Sequence, residues 1–246
     1  MPTNTLLSIR PDYEIATRYG SAWLTQILGA ASNAGIPTID LYKENATASN
    51  FFSALETQDP LIINIFGHGN YNIIVCQDEE LLLFGGINGN DDVLAERIVF
   101  NLSCRAGRDL GTSAVNKGAV AFLGYVEDFI FAISGGNHPD GGMENPLNDQ
   151  VAQGFFESHN ASPISYINGA DLGNSFWNSQ DAFNYWIKVW ENIDSHIAAT
   201  LMWDRDCQVI KPFPVERRVG LFPVLLAFAP LMIILLKKRG IKKWLW

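Results

Sequence analysis

A histidine and a cysteine occupy matching positions in this chain, each directly after an apolar run. Leu61-Ile62-Ile63-Asn64-Ile65-Phe66 leads into Gly67-His68-Gly69, and Ile98-Val99-Phe100-Asn101-Leu102 leads into Ser103-Cys104-Arg105-Ala106-Gly107. Both runs have the length and branched-apolar character of buried parallel strands. If the strands are neighbours, His68 and Cys104 converge at one sheet edge. A thiol beside an imidazole is the minimal apparatus for acyl transfer, because the thiolate attacks while the histidine handles its proton.

The segments around this pair alternate strand and helix. Thr5 to Ile9 reads as a strand. Ala16, Tyr19, Trp23, Ile27 and Ala31 then recur at helical spacing up to Gly35-Ile36-Pro37. Ile39 to Tyr42 suits a second strand, and Thr47 or Ser49 caps a helix that Asp59-Pro60 ends. Between the histidine and the cysteine, Tyr71 to Val75 and Leu81 to Phe84 read as a hairpin. Gly118 to Tyr125 reads as a further buried strand. The architecture is therefore an α/β fold with a mainly parallel central sheet flanked by helices. Ligands of such sheets sit outside the carboxyl ends of the strands, where His68, Cys104 and Tyr125 would lie.

Residues 134–148, rich in Gly, Pro and Asn, read as an exposed loop, a candidate wall or lid over that edge. Helices are expected from about Pro146 to His159 and from about Gln180 to Ala199. An edge hairpin around Asp204-Arg205-Asp206 is expected to close the domain, taken as residues 1–214.

The charge balance narrows the partners. The chain has 246 residues and a formal charge of −9, yet five of its 17 basic residues, Lys237, Lys238, Arg239, Lys242 and Lys243, crowd its end. The body is correspondingly acidic, which argues against nucleic-acid binding. The three cysteines, Cys76, Cys104 and Cys207, are too few and scattered for a disulfide framework. Cys76 and Cys207 read as structural. His68, Cys104, His138 and Asp140 have the chemistry of zinc ligands, but no short-spaced metal pair is present. No metal or cofactor is expected. There is no GxSxG elbow or phosphate-binding loop.

Residues 219–236, VGLFPVLLAFAPLMIILL, carry no charge, and as a helix would reach roughly 27 Å. Flanked by Lys237-Lys238-Arg239, Trp244 and Trp246, they read as one transmembrane helix followed by a basic tail, 237–246. The N-terminus shows no basic start followed by a sustained apolar stretch, so a cleaved leader is not expected. The body is expected on the cytoplasmic face.

An apolar strand ending in His-Gly, a second ending in Cys with Gly nearby, and the Gly-Ala-Val-Ala-Phe-Leu-Gly-Tyr strand together resemble the caspase-like cysteine peptidases, which include caspases, metacaspases, legumains and gingipains. Residues 60–125 carry the likeness. The interval from 68 to 104 is shorter than the ~50 residues of caspases, so the gingipain-like side is closer.

The resemblance implies Cys104 as nucleophile, His68 as general acid/base, and the amides of Gly69 and Cys104 as oxyanion hole. It also implies a peptide or protein substrate. Relatives that cleave after basic residues resemble one another in an acidic residue two positions before the cysteine. Here that position is Leu102, and Glu127 and Asp128, just past Tyr125, are the nearest candidates to supply the charge. A transamidase with a C-terminal span is part of the same resemblance, and a noncatalytic membrane-tethered scaffold is the competing expectation.

Overall fold

The computed structural model describes residues 2–212 and a short strand at 242–245. The span expected at 219–236 lies outside the described residues. No helix among the described residues is long and apolar enough to cross a membrane.

Six strands form the central sheet: β1 (Thr3–Arg10), β2 (Thr38–Tyr42), β3 (Pro60–Phe66), β7 (Ile98–Leu102), β8 (Ala121–Tyr125) and β10 (Gln208–Lys211). Their order is β10-β8-β7-β3-β1-β2. All neighbours are parallel except β10, which runs antiparallel to β8. The chain begins beside the middle, runs out to the β2 edge, then crosses to β3 on the other side of β1. The strand order therefore reverses between β1 and β3, where such sheets open a crevice at their carboxyl ends.

Side chains along β3, β7 and β8 alternate between two buried layers, as a pleat with both faces covered requires. One layer contains Ile62, Phe66, Phe100, Leu102 and Leu123. It is covered by α1 (Ile15–Trp23), α2 (Thr25–Asn33), α5 (Gln150–Ile167), α6 (Leu172–Glu191) and α7 (Ser195–Cys207). The other contains Ile63, Ile65, Val99 and Phe122 beneath α3 (Ala48–Gln58) and α4 (Asp109–Asn116). The chain segment that connects β3 to β7 forms a separate small antiparallel sheet of β4 (Gly69–Asn70), β5 (Ile73–Val75) and β6 (Leu81–Phe84). It contains the expected hairpin and adds the histidine segment as a third strand. Strand β9 (Ile130–Ile133) stands apart from the main sheet and pairs antiparallel with β11 (Lys242–Leu245).

Three local expectations are corrected. The helix read across Ala16 to Ala31 is two helices that part at Leu24, whose amide bonds back to Gly20 while Ile27 bonds to Leu24. The terminal hairpin is instead helix α7 followed by the edge strand β10. Asp194 caps α7 by accepting from the His196 amide, and Ile197, Leu201 and Asp204 face inward at helical spacing. Asp204-Arg205-Asp206 is thus the last turn of a helix rather than a hairpin tip. Helix α5 starts later than read, because Asp149 rather than Pro146 caps it.

The 134–148 segment is a loop, and α1 ties it down. Arg18 donates to the carbonyls of Gly141 and Met143, both at 2.8 Å, and the Tyr19 hydroxyl links Asp149 to the Met143 amide.

Candidate active site

Four strand ends meet at the carboxyl edge, because β8, β7, β3 and β1 are consecutive and parallel. The end of β3 delivers His68, the end of β7 delivers Cys104, and the end of β8 delivers Glu127 and Asp128. The end of β1 leads through Asp12 and Tyr13 to Glu14, the cap of α1. His68 Nε2 lies 3.5 Å from Glu14 Oε1, and both side chains are about one-third exposed, at 29% and 33%. The Tyr13 ring meets the His68 ring edge-on at 6.1 Å.

Glu14 is held as firmly as a buried residue. Its carboxylate accepts from the amides of Ala16 (2.8 Å) and Thr17 (2.6 Å), while Thr17 Oγ1 accepts from the Glu14 amide, a reciprocal capping box. Burial opposes ionisation of this carboxyl, but hydrogen bonds from His68 and the two amides outweigh it and hold its pKa below the ordinary value. An ionised carboxylate, fixed by its capping bonds, therefore faces the imidazole at the carboxyl ends of β1 and β3.

Gly69 places the histidine turn against the cysteine turn. A methyl group at Gly69 would fall 2.6 Å from the Cys104 carbonyl oxygen, 2.8 Å from Ser103 Cβ and 3.3 Å from the Cys104 nitrogen. No side chain fits, so the backbones lie in direct contact. Gly107 has a similar role on the far side, since a methyl there would sit 2.9 Å from both the nitrogen and the oxygen of Tyr125. The cysteine turn is thereby clamped between β4 and the end of β8, with the Gly107 amide donating to Tyr125 and the Arg105 amide to Glu127.

No protein-family model matches the chain, and no curated protein sequence matches it. Solved structures do match in fold. One is the Arg-specific cysteine proteinase gingipain R (RgpB), at a TM-score of 0.54 and 12% identity over 84% of this chain. Another, the complex of the Porphyromonas gingivalis RgpB pro- and mature domains, gives 0.51 at 12% identity, again over 84%. The chain is similar to both in fold, an α/β fold with a mainly parallel central sheet flanked by helices. It spans 45% and 46% of the length of those two chains.

Within this fold, the Cys104 side chain is buried. Its position continues the pleat parity of Phe100 and Leu102, so the side chain enters the helix-covered layer and is 0% exposed. The thiol donates to the Phe129 carbonyl at 3.8 Å. Burial first, and then the nearby Asp128 carboxylate, push its pKa far above the ordinary thiol value. His68 faces Glu14 while Cys104 faces the Asp128-Phe129 segment, so the two side chains have different partners.

Tyr125, expected to touch substrate, lies in the core instead. It is fully buried, its hydroxyl is shared with His159 Nδ1 (3.1 Å) and Gln208 Nε2 (3.2 Å), and its ring packs on Phe129. Its parity in β8 matches that of Leu123, which points it into the same layer as Cys104. Asp128 is partly exposed and pairs with Arg105 at 2.6 Å, so the charge considered for substrate recognition is engaged by the residue following the cysteine. Tyr71 underlies Arg105 and Arg108, with guanidinium carbons 5.3 and 4.6 Å from its ring centroid.

Sequence reasoning missed Glu14 and Arg105. Glu14 is the N-cap of α1 with Thr17 at N3, the reverse of the usual Ser/Thr-x-x-Glu order, so no helix-start pattern marked it in the sequence. Arg105 could have been paired with Asp128 only through the adjacency of β7 and β8. Among the described residues, no cluster of three or more His, Cys, Asp or Glu side chains could hold a metal. The zinc alternative thus gains no support from them.

Proposed function

We propose that the chain is a cysteine peptidase in a latent state, with Cys104 as nucleophile, His68 as general acid/base and Glu14 as the group that orients His68. The observation that carries this reading is the Gly69 contact. It brings the Gly69 backbone against the Ser103–Cys104 peptide at the edge to which β3 delivers His68, which supports reading the Gly69 and Cys104 amides as an oxyanion pair. In the reaction, Cys104 Sγ attacks the peptide carbonyl carbon and His68 takes the thiol proton. His68 then protonates the leaving amine, and water or another amine resolves the thioester. Glu14 stabilises the imidazolium formed between these steps, and its capping bonds keep the carboxylate fixed.

The expected outcome is cleavage of a mixed peptide pool by the full chain once its thiol is uncovered. Turnover should be abolished by Cys104→Ala, fall roughly 10²–10⁴-fold in His68→Ala, and fall less in Glu14→Gln. Products formed with and without added amine separate hydrolysis from transamidation. Cleavage that survives Cys104→Ala overturns the assignment.

The second reading is a noncatalytic scaffold of the same fold, which the fully buried Cys104 thiol favours. It expects the Cys104→Ala chain to keep every property of the wild type.

We also propose that residues 219–236 anchor the protein in a membrane, with the body on the cytoplasmic face. Their uncharged length and basic flank support this. A single crossing would put residues 242–245 on the opposite side from β9, so anchoring requires the β9–β11 pairing to be given up. Flotation of the full chain with liposomes, and its loss in Leu226→Arg, tests the anchor.

A further inference from the structure

The residues that follow β8 do more than neighbour Cys104. Three consecutive residues are joined to the cysteine turn: the Glu127 carbonyl accepts from the Arg105 amide (3.1 Å), the Asp128 carboxylate pairs with the Arg105 guanidinium (2.6 Å), and the Phe129 carbonyl accepts from the Cys104 thiol (3.8 Å). The segment is tethered to α7 at both ends and at Asp128. The Val126 amide donates to the Cys207 carbonyl at 2.9 Å, the Trp203 indole N–H to the Asp128 carbonyl at 2.8 Å, and the Ile130 amide to Asp204 Oδ1 at 2.9 Å. Arg105 also adopts a left-handed backbone, φ 57°, which a non-glycine residue enters at a cost.

We propose that the 126–129 turn is a latch that keeps the Cys104 thiol covered, that the Arg105–Asp128 ion pair locks it, and that the site opens when this pair is broken. The biological consequence rests on the reading of Cys104 as the nucleophile. The lock suits reversible use. Its side chains are 32% and 20% exposed, so ions and charged ligands reach them, and a pair of that exposure is individually weak. The Val126 and Ile130 tethers hold the ends of the turn on α7, so opening is confined to residues 127–129 and breaks the Trp203–Asp128 bond together with the ion pair. Opening would also release Arg105 from its left-handed conformation.

The test is alkylation of the full chain by iodoacetamide, with modification of Cys76, Cys104 and Cys207 followed separately by peptide mass, in wild type, Asp128→Asn and Arg105→Gln. The latch predicts that both variants label Cys104 about fivefold faster or more, the ratio that corresponds to ~1 kcal/mol of pair energy. It also predicts that wild-type labelling of Cys104 rises with salt while Cys76 and Cys207 stay protected. Local electrostatics without a latch predicts opposite signs, because removing the Asp128 charge favours the thiolate and removing the Arg105 charge disfavours it. Slower or unchanged labelling in Arg105→Gln therefore overturns the proposal. Labelling of all three cysteines together also overturns it, since the pair would then be fastening the whole fold. So does a wild-type Cys104 that already reacts like an exposed thiol. A peptide acyloxymethyl ketone that leaves Cys104 untouched in variants whose thiol iodoacetamide reaches would sink the peptidase reading and leave the latch standing.

Discussion

At Cys104 the alternation that fills the core also hides the thiol. Phe100, Leu102 and Cys104 share one parity, and the layer they enter is closed by helices, so the thiol rests where a small apolar residue would. His159 shows the same layer acting on a base. It is fully buried with Nδ1 bonded to Tyr125, and burial lowers its pKa from 6.5 to about 3. It is therefore neutral in the fold and becomes protonated on unfolding below its ordinary pKa. The unfolded chain then binds the extra proton, so this contribution to stability is complete above pH 6.5 and is lost as pH falls from there towards 3. Urea unfolding of the wild type should weaken over that window, and His159→Gln should remove part of the slope. An unchanged slope in the variant would contradict the burial of a neutral imidazole. Of these single residues, the positions of Cys104 and His68 at strand ends were legible from their place after apolar runs. Glu14 was not, because its partner lies across a strand order that only the fold reveals. The burial of Tyr125 follows from its parity with Leu123, which says nothing of function until the covering layer is known.

At the scale of elements, the site depends on two glycine contacts. Gly69 lets β4 lie on the Ser103-Cys104 peptide, and Gly107 lets the cysteine turn lie on the end of β8. Both neighbours are backbone and cannot swing aside, so Gly69→Ala and Gly107→Ala should each destabilise the fold by about 1–3 kcal/mol. Thermal melts check this, and a melting temperature equal to wild type at either position would mean that the strands approach less closely. Strands β1, β3, β7 and β8 were readable as apolar runs bounded by Gly, Asp-Pro and polar turns. Helix α7 was misread because Asp204-Arg205-Asp206 resembles a hairpin tip. The Asp194 cap and the inward spacing of Ile197, Leu201 and Asp204 decide otherwise. The loop at 134–148 was legible from its Gly, Pro and Asn content. Its attachment through Arg18 and Tyr19 was not, because those partners are more than a hundred residues away.

For the whole molecule, the parallel sheet gathers Glu14, His68, Cys104 and Asp128 from four separate stretches of chain onto one edge, and the strand order reverses between β1 and β3, where Glu14 and His68 meet. The fold class was legible because periodicity and turn chemistry agree along residues 3–125. The covering of Cys104 was not, because it depends on how β8 and α7 hold residues 126–129 against the cysteine turn. The measurement that bears most directly on the central claim is labelling of the full chain by a peptide acyloxymethyl ketone, with the modified residue identified by mass, in Asp128→Asn and in Asp128→Asn combined with His68→Ala. A working Cys104–His68 pair predicts selective modification of Cys104 in the first protein and a marked loss of it in the second. Equal modification in both, or modification shared by Cys76 and Cys207, would contradict it.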